Sequence, residues 1–159
     1  MADIPYCSCY TPVKGMKAML FSEDNRNKFT CQGFENQVFA MSEDRTQAVL
    51  VLKSKGARVE YCPKCGSRVH IYDSFQVNLK DIPIWHAVDQ TVCVLGYRYR
   101  CPSCGNTFTE DIPFKYPGTR ITCRAADWIK AFLRAKISVR AIQDLTGIHW
   151  DTKGAKRVH

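Results

Sequence analysis

Four of the nine cysteines fall into two copies of one device, Cys62-Pro63-Lys64-Cys65-Gly66 and Cys101-Pro102-Ser103-Cys104-Gly105. Two residues between the thiols let both sulfurs converge on one metal at tetrahedral angles. The glycine permits a backbone with φ > 0 that aims amides at the thiolates. Paired knuckles complete a four-thiolate site, so Cys62, Cys65, Cys101 and Cys104 are the expected ligands of one structural zinc ion. Residues 66 to 100, 35 in all, separate them. That is longer than the usual zinc-ribbon spacing and needs strands to fill it. Such knuckles also hold iron in rubredoxin-like electron carriers, so the identity of the metal is a separate question.

The other reactive side chains form no comparable pattern. Cys7, Cys9 and Cys31 are irregularly spaced with no evident fourth ligand. Cys93 lies in an alternating run and Cys123 opens a helical one, which makes them core or surface thiols. His70, His86, His149 and His159 show no paired spacing. A zinc hydrolase or deaminase needs an open metal position and usually a His-x-Glu, but four thiolates close the site and Val88 stands two after His86. No Gly-x-Ser-x-Gly elbow or phosphate-cradling loop occurs. The acids of the basic region, Glu110, Asp111, Asp127, Asp144 and Asp151, fall on separate elements beside basic residues, as surface ion pairs do. No enzyme is expected.

An odd cysteine count and an N-terminus, Met1-Ala2-Asp3-Ile4-Pro5, without a signal-peptide pattern argue against a secreted disulfide framework. There is no apolar run of about 18 residues, so no membrane partner is expected. The net charge of +8 is uneven: residues 98 to 159 hold 12 Lys/Arg against 5 Asp/Glu, and residues 1 to 97 hold 11 against 10. A polyanion would be met by the basic C-terminal third.

The elements that must position these residues follow from periodicity. Residues 1–45 show no clear period and read as an N-terminal extension. The runs Ala48 to Lys53, Arg58 to Tyr61, Arg68 to Tyr72, Phe75 to Leu79 and Thr91 to Arg100 read as strands, placing a small antiparallel β unit with the four cysteines at 46–115. From Ile121 the period becomes helical, with Ala125, Ile129, Phe132 and Leu133 on one face. A second helix is expected from Ser138, its cap, to Leu145, and a third over His149 to Val158. Helix, short turn with Gly147, helix is a helix-turn-helix signature, assigned to 119–159. The expected class is therefore α+β, a small antiparallel zinc-ribbon-like unit followed by a helix-turn-helix module. Arg120, Arg124, Arg140, His149, Trp150, Thr152, Lys153, Lys156 and Arg157 are the expected contacts to double-stranded DNA.

The chain resembles the N-terminal region of bacterial insertion-sequence transposases of the ISL-three family. The resemblance covers residues 45 to 159. It rests on Cys62 to Gly66, Leu79-Lys80-Asp81-Ile82-Pro83, Tyr97 to Glu110 through the second knuckle, Arg120-Ile121-Thr122, and Ser138 to Thr152. It implies a zinc finger and a helix-turn-helix that recognise the element's terminal inverted repeats, ahead of a carboxylate-bearing catalytic domain that this chain does not contain. It also implies a bacterial, cytoplasmic, nucleoid-associated protein, with homo-oligomerisation left open. Thr152-Lys153-Gly154-Ala155-Lys156 departs from expectation, since glycine inside a helix costs about 1 kcal/mol relative to alanine. A zinc-dependent protein-interaction adaptor and a rubredoxin-like electron carrier are the alternatives.

Overall fold

A computed structural model describes residues 16–19, 33–56, 59–82 and 89–149. Strands β1 (Met16–Met19), β2 (Phe34–Ser42), β3 (Gln47–Ser54), β4 (His70–Asp81) and β5 (Asp89–Arg100) form one sheet in the order β1-β2-β3-β5-β4. The short β6 (Thr107–Thr109) pairs with the end of β5. Neighbours are antiparallel except β3 and β5, which run parallel from Gln47 opposite Asp89 to Lys53 opposite Leu95. Helices α1 (Cys123–Arg134) and α2 (Val139–Thr146) follow.

This corrects the expected fold class. The chain is not a small antiparallel zinc-ribbon-like unit followed by a helix-turn-helix module. It is predominantly a six-stranded mixed sheet, and the described residues contain only two short helices. Two features hid this in the sequence. The β3/β5 pairing is parallel and non-local, and leaves no turn signal. In β2 a bulge between Asn36 and Val38 breaks the alternation, so Phe34 and Phe39, five apart, both reach the same core. β4 is one strand rather than the two expected, Arg68 to Tyr72 and Phe75 to Leu79, because a second bulge, between Ile71 and Asp73, interrupts its alternation. Of the expected strand over Arg58 to Tyr61, Arg58 lies outside the described residues and Tyr61 forms a bridge with Arg68.

The core lies on one face of the sheet, where Phe34, Phe39, Leu50, Leu52, Leu79, Val92 and Val94 pack with Ile112 from the segment after β6. Each such side chain contributes about 1.5–3 kcal/mol by leaving water. Leu50, Val51 and Leu52 are buried in succession, so β3 is covered on both faces. Asp44 closes the β2/β3 hairpin by accepting from the Ser42 hydroxyl (2.6 Å), the Thr46 hydroxyl (2.8 Å) and the Thr46 N–H (3.1 Å).

Helix α1 is seated on β4 by its cap. The Thr122 hydroxyl accepts from the Ala125 N–H (3.1 Å) and donates to the buried Asp81 carboxylate (2.6 Å). Arg124 grips that carboxylate through Nε and Nη2. Ala125 and Ala126 are buried, Ile129 and Phe132 half-buried, and Leu133 exposed. Ser138 caps α2 by accepting from the Ala141 N–H (3.2 Å), and Gly147 ends it at φ 67°. No helix among the described residues is long and apolar enough to cross a membrane.

Candidate metal centre and basic surface

The parallel pairing of β3 and β5 explains how two distant knuckles meet. Parallel strands end at the same edge of a sheet, so the chain leaving β3 and the chain leaving β5 emerge side by side. The first knuckle lies on the path from β3 to β4, and the second directly follows β5. The 35 intervening residues are consumed by β4 running out and β5 running back. Their register sets His70 opposite Arg100, returning the chain to its starting edge.

Each knuckle is built identically. The Cys62 N–H donates to the Ser67 carbonyl (2.8 Å) and the Gly66 N–H to the Cys62 carbonyl (2.9 Å). In the second, the Cys101 N–H donates to the Asn106 carbonyl (2.8 Å) and the Gly105 N–H to the Cys101 carbonyl (2.9 Å). Gly66 and Gly105 take φ of 72° and 69°, a region costly for residues with a Cβ. The turn aims donors at sulfur: the Lys64 N–H lies 3.4 Å from Cys62 Sγ.

Sulfur–sulfur separations are 3.7 Å for Cys62–Cys104 and 3.4 Å for Cys65–Cys101, and all four sulfurs lie within 4.8 Å of one another. Zinc–sulfur bonds of about 2.3 Å set tetrahedral sulfurs about 3.8 Å apart, so the cluster can hold such an ion. Without a metal the thiols are unequal. The Ser67 hydroxyl and N–H hold Cys65 down to about 6. Against the pull of the Asn106 N–H, desolvation and the other three thiols push Cys104 up to about 11. Four thiolates this close repel one another unless a cation lies among them. Cys62 and Cys101 are buried and Cys65 and Cys104 exposed, which puts the centre at the surface.

Among the described residues this is the only group of three or more side chains able to share a metal. Cys93 stands apart in β5, its thiol pushed up to about 11 by burial. Cys123 begins α1, with Sγ 3.8 Å from the Pro113 carbonyl. Cys7, Cys9 and Cys31 lie outside the described residues.

The expected DNA contacts divide. Arg140 is exposed in the first turn of α2. Arg120 and His149 are exposed and line an apolar groove of about 370 Å³ between the two helices, with Lys130 on its wall. Arg124 is instead committed to buried Asp81. Trp150, Thr152, Lys153, Lys156 and Arg157 lie outside the described residues. Lys130, Arg134 and Lys136 are exposed cations not singled out from the sequence. Glu110, expected in a surface ion pair, is buried, receiving the Tyr97 N–H (2.7 Å) and the Ser54 hydroxyl (3.0 Å). Asp81 was likewise not singled out as a buried anchor; its place between Leu79 and Ile82 in an alternating run is the only local signal. No family model, curated protein or solved structure matches this chain.

Proposed function

We propose that this protein binds double-stranded DNA and that zinc in the four-cysteine centre ties its β3, β4 and β5 ends together. The observation that carries DNA binding is the acid-poor surface after β5. From Cys101 to His149 the sequence holds seven Lys/Arg against four Asp/Glu, and one of those acids, Glu110, is buried. Exposed Arg120, Arg134, Lys136 and Arg140 can release counterions from phosphates, whereas Arg124 is held by Asp81 and Lys130 is shared with Asp127 (3.5 Å) and the Tyr116 ring. The resemblance to ISL-three transposases supports a finer reading, recognition of an insertion sequence's terminal inverted repeats by the N-terminal part of such an enzyme. Zinc would be held by Cys62, Cys65, Cys101 and Cys104 and would supply folding energy, with no open position for a reacting water. On this reading the chain binds DNA without cutting it.

The test is fluorescence anisotropy of the zinc-loaded chain on labelled duplex at several salt concentrations. Binding should weaken steeply with salt, and the triple variant Arg134→Ala, Lys136→Ala, Arg140→Ala should flatten the log–log slope by about 2–3, at ~0.9 per phosphate contact. An unchanged slope removes these residues from the interface. No binding at low salt removes the DNA reading and leaves the protein-interaction adaptor.

A further inference from the structure

The long edge of β4 that faces away from β5 is covered at one end only. The Lys80 N–H donates to the Arg120 carbonyl (2.8 Å) and the Lys80 carbonyl accepts from the Thr122 N–H (3.0 Å). Both backbone groups of Lys80 therefore point outward. With the strand's period of two, so do those of Asn78, Gln76 and Ser74. Among the described residues no other segment pairs with this edge. Its far end is set by the bulge between Ile71 and Asp73. The open stretch runs from 73 to 79 and is centred on Gln76.

We propose that this edge pairs antiparallel with the same edge of a second copy of the chain, across a two-fold axis at Gln76. That symmetry sets Gln76 opposite Gln76 and Ser74 opposite Asn78, residues whose amides and carbonyls face outward; the Ser74 N–H, which donates to Asp73 Oδ1 (2.8 Å), would exchange that exposed contact for the Asn78 carbonyl. It sets Phe75 opposite Val77 in the closer, non-hydrogen-bonded spacing. Both are half-buried at the margin of the hydrophobic core, and an aromatic paired with a β-branched residue is a favourable cross-strand match. Residue 80, taken by the 120–122 segment, then falls opposite residue 72, at the bulge that interrupts the ladder. Exposed edges normally carry charge or proline that prevents pairing, yet this stretch has no proline and its one charged residue, Asp73 at the end, is paired with Arg98 of the same sheet. A chain of net charge +8 that self-associates needs such a neutral contact. The two basic surfaces would then be presented in a two-fold relation.

Sedimentation velocity on the full, zinc-loaded chain under reducing conditions tests this, beside Gln76→Pro and Gln76→Lys. Proline removes an N–H that points out of the sheet and is tolerated on edges. Lysine retains the strand and sets two like charges face to face on the axis. The wild type should be a dimer whose Gln76 and Asn78 amides are protected from hydrogen exchange. Each variant should weaken the dimer by about tenfold or more while keeping its far-ultraviolet spectrum and bound metal. If the proline variant does not fold, the lysine variant decides. A monomeric wild type, or a dimer unaffected in the folded variants, overturns the proposal. So does a dimer that only Leu133→Glu and Val139→Glu on the helical groove dissolve. Oligomeric state is read without DNA, so this result stands apart from that of the DNA-binding test.

Discussion

Replacing Glu110 by alanine should destabilise the protein by about 2–4 kcal/mol, because its carboxylate fills a gap in the sheet that no strand among the described residues covers. On one side of β5, β3 is the partner as far as Leu95 and β6 takes over at Arg98. Gly96 and Tyr97 lie between. The Tyr97 carbonyl is met by the Glu110 N–H (3.1 Å), and the Tyr97 N–H by Glu110 Oε1 (2.7 Å). The Ser54 hydroxyl, at the end of β3, donates to Oε2 (3.0 Å). Glu110 is 4% exposed and Ser54 2%. Truncation leaves the Tyr97 amide and the Ser54 hydroxyl without this acceptor, and an unsatisfied buried group costs about 1–3 kcal/mol. Glu110→Gln keeps an acceptor for Tyr97 and a polar partner for Ser54, and should cost about 1 kcal/mol. In thermal terms the alanine variant should melt about 4–16 °C lower, at ~2–4 °C per kcal/mol for a chain of this size. Urea unfolding at saturating zinc measures the difference. An alanine variant within about 1 kcal/mol of wild type and equal to the glutamine variant would refute the gap-filling argument.

Cys101→Ser should abolish tight metal binding and lower stability by several kcal/mol, since metal-binding energy in small domains is largely folding energy. A chelator should then shift the melting of the wild type but not of the variant. Leu79→Ala, at a fully buried position on β4, should cost about 2–5 kcal/mol in urea unfolding, with bound metal retained. Asp44 is held below its ordinary value of 3.8 by the Ser42 hydroxyl, with help from Thr46. A depressed carboxyl pKa contributes stability that is present above about pH 4 and lost as pH falls through the lower folded value. Asp44→Asn should therefore flatten the acid limb of a stability–pH profile, and an identical limb would discount the hairpin contact.

The four-cysteine cluster was legible because its parts are local: each knuckle encodes its own turn, and two such turns need only be brought together. The helix start at Ser138 was legible for the same reason, a side chain capping its own neighbours. What brings the knuckles together was not legible, because the parallel pairing of β3 with β5 joins residues about 40 apart with no intervening turn signature. Bulges hid β2 and divided β4 by interrupting the alternation that identifies strands. Arg124 shows a further limit. A guanidinium suits a phosphate or a carboxylate equally, and only the fold reveals that Asp81 lies beneath it. Glu110 misleads in the same way, since a glutamate beside Asp111 looks like surface until the gap between β3 and β6 is seen.

The most direct test of the central claim is metal analysis of the full chain purified under reducing conditions, by native mass spectrometry with X-ray absorption at the metal edge. The account predicts one zinc ion per chain, bound by four sulfurs at about 2.3 Å and lost when Cys62, Cys65, Cys101 or Cys104 becomes serine. Iron with rubredoxin-like absorption would point to an electron carrier instead. A folded, metal-free chain whose stability ignores both zinc and chelator would contradict the account.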